Sequence, residues 1–133
     1  MKKVEVVAAI IKFNDKILCV KRGNSKFDYL SNKYEFPGGK IELGESNEVA
    51  LKREIIEELD MEIDIKEKYL TVNHFYNDFE ILMHSYICFC KNTKFKLNEH
   101  IDFKWLNINE LNSLIWADAD LPIVEKLLKS LKN

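Results

Sequence analysis

The sequence predicts a sandwich of the α/β or α+β class, and two observations lead to this expectation. Runs of β-branched and apolar residues alternate along the chain with segments of helical periodicity. The chain has 133 residues, of which 47% are hydrophobic and 32% are charged, which is typical of one globular domain with a buried core. No repeat, low-complexity tract or linker divides the sequence, so we expect residues 1–133 to form a single domain.

The first part of the chain is predicted to form two adjacent strands and a sharp turn. Residues 4–13 (VEVVAAIIKF) are β-branched and apolar, which indicates a largely buried strand, and residues 17–22 return after a polar turn. Residues 23–33 are polar and begin with glycine, as in a loop. The short extended segment 34–36 then meets residues 37–39 (PGG), which must turn sharply.

Residues 46–59 are predicted to form a helix. Ser46 is a good N-cap, and Glu48 in the first turn interacts favourably with the positive end of the helix dipole. At about 100° per residue, one face of this helix carries apolar side chains that we expect to pack into the core. These side chains are Val49, Leu51, Ile55, Ile56 and Leu59.

The second half of the chain is predicted to contain three strands. Residues 62–76 and 79–91 alternate in polarity as paired strands do, and Asn77-Asp78 between them forms the hairpin turn. Residues 100–106 (HIDFKWL) form a further short strand.

Two helices follow the last strand. Asn107 and Glu110 have the spacing of a capping box, which predicts a short helix over residues 108–115. Residues 121–132 form an amphipathic helix with Pro122 in its first turn.

The charge and the cysteine content exclude several classes of function. The formal net charge is −2, so the chain is not a general binder of nucleic acids or membrane surfaces. No apolar run is long enough to cross a bilayer, and Glu5 interrupts the apolar start of the chain, unlike in a signal peptide. Cys19, Cys88 and Cys90 lack the partners of a zinc site, so we expect free thiols in a reducing cytoplasm.

Three glutamates, Glu54, Glu57 and Glu58, share the other face of the helix over residues 46–59. Like charges at this spacing destabilise a helix by roughly 0.2–0.5 kcal/mol per pair. One explanation is a solvated acidic face. The other is a divalent cation, because clustered carboxylate oxygens suit Mg²⁺ or Mn²⁺ and the metal would relieve the repulsion.

The residues around this acidic face favour the cation. Gly38 and Gly39 permit a close approach of the backbone to a ligand, so their carbonyls could bind a metal and their amides could contact a phosphate. Glu45 and Arg53 lie at the two ends of the next segment. An ion pair between them would connect the loop to the helix.

From the glycine turn onwards the sequence resembles the Nudix box, in the form found in the MutT-like branch of that family. The pattern is glycine, five residues, glutamate, seven residues, Arg-Glu, an apolar residue, any residue, Glu-Glu, any residue, a second glycine and an apolar residue. The matching residues are Gly39, Glu45, Arg53, Glu54, Glu57 and Glu58. The last glycine of the pattern is replaced by Asp60, which tolerates the left-handed conformation of a helix end better than most residues. The resemblance is dense over residues 34–61 and looser over most of the remaining chain.

This resemblance implies the α/β class, as a Nudix-type α/β/α sandwich with a central mixed sheet, and hydrolysis of a nucleoside diphosphate linked to another group. For a nucleoside triphosphate, water attacks the β-phosphorus and gives NMP and pyrophosphate. The implied cofactor is Mg²⁺, with Mn²⁺ as an alternative. The implied metal ligands are Gly38, Gly39, Glu54, Glu57, Glu58 and Glu99, the glycines through a carbonyl. The implied catalytic residues are Arg53 and the same four glutamates, one of which acts as the base.

Four residues are candidates for binding the substrate. Lys40 and Arg22 could each steady a phosphate, or could be ordinary solvated side chains. Asp120 lies two residues before Pro122, where the MutT-like branch has a polar residue that meets the base, and it would also cap the last helix. Asp118 is a second candidate. An aspartate could accept a hydrogen bond from the amino group of cytosine or adenine, or when protonated could donate to a purine carbonyl or N7.

We therefore expect a cytoplasmic, Mg²⁺-dependent nucleoside triphosphate pyrophosphohydrolase that acts on 8-oxo-dGTP or on (d)CTP-type substrates. Its partner is a small nucleotide and neither a nucleic acid nor a membrane, and the chain is a monomer or a homodimer. The alternatives are a Nudix hydrolase of ADP-ribose or dinucleoside polyphosphates, and a non-catalytic Nudix module that senses nucleotides. The intact box residues argue against the sensing module.

Overall fold

The computed structural model describes residues 1–132, which form a mixed sheet with a helix on each face. The strands are β1 (Lys2–Phe13), β2 (Lys16–Lys21), β3 (Tyr34–Glu35), β4 (Gly38–Lys40), β5 (Asp64–Phe75), β6 (Phe79–Phe89) and β7 (Asp102–Asn107). The helices are α1 (Asn47–Leu59) and α2 (Leu121–Lys129). Short 3₁₀ helices lie at Asp28–Leu30, Ile108–Ser113, Asp118–Asp120 and Ser130–Lys132.

Strand β1 is the centre of the sheet. It runs parallel to β6 and antiparallel to β2 and β4. Strands β5 and β6 pair antiparallel and are joined by the predicted hairpin turn. Both β3 and β7 pair with β2. The sheet therefore combines parallel and antiparallel pairs, as predicted.

Both faces of β1 are buried, because successive side chains of a strand point to opposite faces of the sheet. The core on the α1 side includes Val7, Ala9, Ile11, Leu51, Ile55 and Leu59. The core on the α2 side includes Ala8, Ile10, Ile17, Ile123, Val124 and Leu127. This two-sided burial explains the continuous apolar run in β1, and it gives the predicted α/β/α sandwich.

The apolar face of α1 is narrower than predicted. Val49 and Ile56 are 56% and 50% exposed. Leu51, Ile55 and Leu59, spaced four residues apart, are completely buried and form a stripe that is sufficient to cover the sheet.

The helix predicted over residues 108–115 is instead a shorter 3₁₀ helix, Ile108–Ser113. Its capping box is present, since the Glu110 carboxylate accepts a hydrogen bond from the Asn107 N–H at 2.9 Å. The helix stops early because the Tyr34 N–H donates to the Ile115 carbonyl at 2.8 Å, which pairs this segment with β3. A tertiary contact has overridden the local preference for a helix.

Both ends of α1 agree with the sequence. The Ser46 hydroxyl oxygen accepts a hydrogen bond from the Val49 N–H at 3.2 Å. Asp60 has φ 54° and ψ 37°, which is the left-handed conformation, and its N–H donates to the Ile56 carbonyl at 2.9 Å. The aspartate thus adopts the backbone conformation for which the box pattern uses glycine.

Asp60→Gly is expected to stabilise the protein by about 0.5 kcal/mol, because glycine enters the left-handed region without a Cβ clash. The measurement is the free energy of unfolding in urea. The matched control is Glu62→Gly, at an exposed position outside helices and strands and without a positive φ. The control is expected to lose stability because glycine gains more freedom in the unfolded chain. Equal losses in both variants would contradict this account of the helix end.

Candidate active site

The acidic face of α1 is divided between solvent and the protein interior. The Glu57 side chain is 54% exposed, whereas the Glu54 side chain is only 14% exposed. Glu58 is buried, and its carboxylate accepts a hydrogen bond from the Gly38 N–H at 3.1 Å. This part of the helix is therefore not a simple solvated face.

Two glutamates of this face have raised pKa values. Burial raises the pKa of the Glu58 carboxyl to about 9, and the charges of Glu35, Glu99 and Glu54 act in the same direction. Burial also raises the pKa of Glu54, although the Arg53 guanidinium opposes the shift. The charge of Glu99, an exposed residue, acts in the raising direction on the pKa of both carboxyls.

Gly38 and Gly39 bring the backbone into contact with β1 and with α1. A Cβ on Gly38 would overlap the carbonyl oxygen of Val7, so glycine is needed for this turn to lie on β1. A Cβ on Gly39 would overlap the carboxylate of Glu54, so the glycine backbone and the acid touch directly. The glycine turn is therefore adjacent to the acidic face.

Arg53 connects the acidic face to the loop before α1. Its Nε and Nη2 donate to the two carboxylate oxygens of Glu45 at 2.7 and 2.8 Å, which confirms the predicted ion pair. Nη2 also donates to the Lys40 carbonyl at 3.0 Å, and Nη1 donates to Glu54 and Glu57 at 3.0 and 3.2 Å. The hydrogen bonds from Arg53 lower the pKa of Glu45 to about 2.

The donor atoms around this helix are those that a divalent cation needs. Among residues 1–132 no three acidic, histidine or cysteine side chains converge into a coordination shell, and Arg53 Nη1 lies between Glu54 and Glu57. The groups around the Arg53 guanidinium are carboxylate and carbonyl oxygens, which are the preferred ligands of Mg²⁺ and Mn²⁺. Buried carboxylates with raised pKa values also gain most from a nearby cation, so the residues fit a metal.

A cleft of about 520 Å³ opens beside the glycine turn. Phe27, Tyr76 and Phe79 form part of its wall, and the Phe79 ring centroid lies 5.7 Å from that of Phe27 and 5.2 Å from that of Tyr76. Gly39 lines the cleft and also contacts Glu54, so the cleft and the acidic face meet at this residue. An aromatic wall with a few polar groups is typical of a site for a small molecule.

Three of the four residues predicted to bind the substrate line this cleft. These are Arg22, Lys40 and Asp120. The structure does not bring Asp118 into the cleft, because this residue is exposed and outside the lining.

Asp120 does not cap α2 with its side chain, so that part of the prediction is wrong. Its backbone is already helical, with φ −86° and ψ −19°, whereas an N-cap is typically extended. The Asp120 carboxylate instead accepts a hydrogen bond from the Phe36 N–H at 2.9 Å and is buried. Burial, and then the charge of Glu35, raise the pKa of Asp120 well above its usual value.

Glu35 connects two basic side chains at this end of the cleft, and sequence reasoning missed this network. Its Oε1 accepts from Arg22 Nη2 at 3.1 Å, and its Oε2 lies 2.9 Å from His100 Nε2. The network and the aromatic wall are assembled from segments that are far apart in the sequence. The position of His100 next to Glu99 was the one available signal.

A second cavity, of about 650 Å³, lies away from these residues. It is lined by the end of α1, the start of β5 and residues that follow β6. It contains none of the predicted site residues, so cavity size alone does not identify the site.

Comparison with known proteins agrees with the fold described above. The family profile described as the NUDIX domain matches residues 6–126. The chain belongs to the Nudix family. Over 128 residues it is 32% identical to the CTP pyrophosphohydrolase of Escherichia coli (strain K12), which covers 96% of this chain and 93% of that protein.

Two further Nudix relatives are similar to this chain. A stretch of 60 residues is 43% identical to the 8-oxo-dGTP diphosphatase of Escherichia coli (strain K12), covering 44% of this chain and 45% of that protein. The solution structure of the Nudix hydrolase MutT from methicillin-resistant Staphylococcus aureus 252 is 38% identical, with a TM-score of 0.75. It covers 98% of this chain and 99% of that chain.

These comparisons confirm the predicted Nudix fold and the predicted enzyme class, a hydrolase of phosphoric anhydride bonds in nucleotides. Nudix hydrolases generally need a divalent metal ion, which agrees with the oxygen donors around α1. No helix within residues 1–132 has both the length and the apolar character that crossing a membrane requires.

Gly39→Ala is expected to fold normally and to lose about 100-fold in kcat, because its methyl group displaces the flexible Glu54 carboxylate from its position. Gly38→Ala is the matched control, since its methyl group meets the backbone of β1 instead. That variant is expected to lose about 1–3 kcal/mol in the free energy of unfolding. Full activity of Gly39→Ala would contradict the contact between the glycine and Glu54.

Proposed function

We propose that this Nudix hydrolase is a single-domain enzyme that converts (deoxy)nucleoside triphosphates to NMP and pyrophosphate with Mg²⁺ as its cofactor. The observation that carries the proposal is the double contact of Gly39, which lines the aromatic cleft and also touches Glu54. A nucleotide with its base in the cleft would extend its phosphates past Gly39 to the acidic face of α1.

The oxygen donors around α1 would hold the cation. The proposed ligands are Glu54, Glu57, Glu58 and Glu99, with the carbonyl of Gly38 or Gly39. When bound, the cation neutralises phosphate charge and lowers the pKa of water. Mn²⁺ accepts similar oxygen ligands and is the alternative metal.

The side chains of the protein orient the reactants, because phosphoryl transfer depends mainly on positioning and charge. The oxygen of water attacks the β-phosphorus, the bond from that phosphorus to the α–β bridging oxygen breaks, and NMP leaves. One of the four glutamates takes the proton from water. Arg53 fixes the orientation of Glu54 and Glu57. Lys40 and Arg22, which line the cleft, contact the phosphates.

Asp120 and the aromatic wall of the cleft select the base. The aromatic rings of the wall offer faces for stacking. As a carboxylate, Asp120 accepts from the amino group of cytosine, which favours (d)CTP-type substrates. In the protonated form favoured by its raised pKa, it donates to an oxidised purine, which favours 8-oxo-dGTP. The names of the two Escherichia coli relatives refer to these two kinds of nucleotide.

ADP-ribose and dinucleoside polyphosphates are the alternative substrates, and a nucleotide-sensing module is the alternative class. The box favours catalysis over sensing, because its glutamates are all present and Arg53 forms its contacts with Glu45, Glu54 and Glu57. Asp118, the second candidate for base contact, is exposed and lies outside the cleft, so it serves as the comparison for Asp120.

Glu57→Gln is expected to lower kcat by at least about 100-fold, because it removes a charge that the proposal assigns to cation binding. The fold is expected to persist, since this side chain is largely exposed. The matched control is Glu48→Gln, the same change at an exposed position of α1, which is expected to leave kcat unchanged. The measurement is kcat from steady-state kinetics with Mg²⁺. Near-normal turnover of Glu57→Gln would refute its assignment as a metal ligand.

Asp120→Asn is expected to change the ratio of kcat/KM between dCTP and 8-oxo-dGTP by about tenfold or more, because it alters the donors and acceptors offered to the base. The amide oxygen can still accept from the Phe36 N–H, so the turn is retained. Asp118→Asn provides the same change at an exposed residue and is expected to leave the ratio unchanged. An unchanged substrate profile of Asp120→Asn would limit this residue to a structural role.

A further inference from the structure

Glu99 lies on a segment that has no helix or strand of its own. The segment runs between β6 and β7, and Glu99 itself is exposed. A metal ligand in such a segment needs neighbours that fix its position, since the proposed chemistry requires carboxylates held in a defined geometry.

The residue before Glu99 binds to the end of α1. The Asn98 N–H donates to the Glu58 carbonyl at 2.9 Å, and the Asn98 side-chain amide donates to the Glu57 carbonyl at 3.0 Å. The Lys96 N–H donates to the Leu59 carbonyl at 2.9 Å. These bonds satisfy carbonyls that have no partner within the helix, and they attach the segment to the turn of α1 that carries two proposed ligands.

The residue after Glu99 binds to β3. The His100 side chain is only 4% exposed, and its Nε2 lies 2.9 Å from Glu35 Oε2. Its Nδ1 is buried and has no hydrogen-bond partner among residues 1–132, so the polar contact of the ring is directed at Glu35. The next N–H, of Ile101, donates to the Lys21 carbonyl at 2.9 Å and fixes the backbone on β2.

We propose that Asn98 and His100 are positioning residues that hold Glu99 at the metal site from its two sides, Asn98 through α1 and His100 through Glu35. Asn98 sets the distance of Glu99 from Glu57 and Glu58. His100 sets its position relative to β3, which leads directly into the glycine turn. The electrostatic effect of Glu99 on Glu54 and Glu58 agrees with this placement. The inference rests on the proposed role of Glu99 as a metal ligand.

A purely structural role is the alternative, with Asn98 as a helix cap and His100 as a packed core residue. The two roles differ in what a conservative replacement restores. In His100→Gln the side-chain amide can occupy the position of Nε2 and donate to Glu35, whereas the shorter amide of His100→Asn cannot reach it. Both replacements remove the same ring, so a packing role would weaken Mn²⁺ binding in both variants.

The test is the dissociation constant of Mn²⁺, measured by electron paramagnetic resonance on the metal-free protein without nucleotide, beside thermal unfolding of each variant. Asn98→Ala and His100→Asn are expected to weaken Mn²⁺ binding by about tenfold or more, as loss of an outer contact to a ligand does. His100→Gln is expected to stay near the wild-type value. Asn73→Ala, which removes an exposed amide contact to Glu80 on the β5–β6 hairpin, is the control without effect.

Glu99→Gln separates failure of this inference from failure of the proposed function. If Glu99→Gln weakens Mn²⁺ binding but Asn98→Ala and His100→Asn do not, the positioning role is overturned and the metal site stands. If Glu99→Gln itself binds Mn²⁺ normally, Glu99 is not a metal ligand. That result would remove Glu99 from the proposed metal site and overturn the positioning roles of Asn98 and His100. Equal weakening in His100→Gln and His100→Asn would assign His100 to packing and overturn its positioning role.

Discussion

The crowding of carboxylates around the glycine turn is the constraint on which the rest of this structure depends. Glu58 and Asp120 are buried, Glu35 is nearly so, and the charge of Glu35 raises the pKa of both of the others. Burying a charge without a partner is costly. The backbone N–H groups of Phe36 and Gly38 and the guanidinium of Arg22 offset part of that cost. A cation at the acidic face would offset more of it.

The few residues of the glycine turn therefore both pack on the sheet and connect the cleft to the acidic face. The turn lies directly on β1, and its Gly38 N–H and the preceding Phe36 N–H each donate a hydrogen bond to a buried carboxylate. Gly39 alone separates the aromatic cleft from the acidic face. The completely buried stripe of α1 fixes the helix on the sheet at this point. The sandwich thereby holds the acidic face and the cleft at a fixed distance from each other.

The acidic face could be predicted from the sequence because its residues belong to one helix and the loop before it. Helical periodicity converts spacing directly into geometry, and the ion pair of Glu45 with Arg53 formed as expected. The cleft could not be predicted in the same way, because Phe27, Tyr76 and Asp120 come from distant segments. The interpretation of Asp120 as a cap failed for that reason. A local rule assigned its side chain to α2, whereas the distant N–H of Phe36, just before the glycine turn, binds it.

The most direct test of the proposed function is product analysis after incubation with Mg²⁺ and CTP, dCTP or 8-oxo-dGTP in water enriched in oxygen-18. The proposed function predicts NMP and pyrophosphate from at least one of these triphosphates, with the heavy oxygen in pyrophosphate, because water attacks the β-phosphorus. Nucleoside diphosphate and phosphate as products, or nucleotide that binds without being hydrolysed, would contradict it.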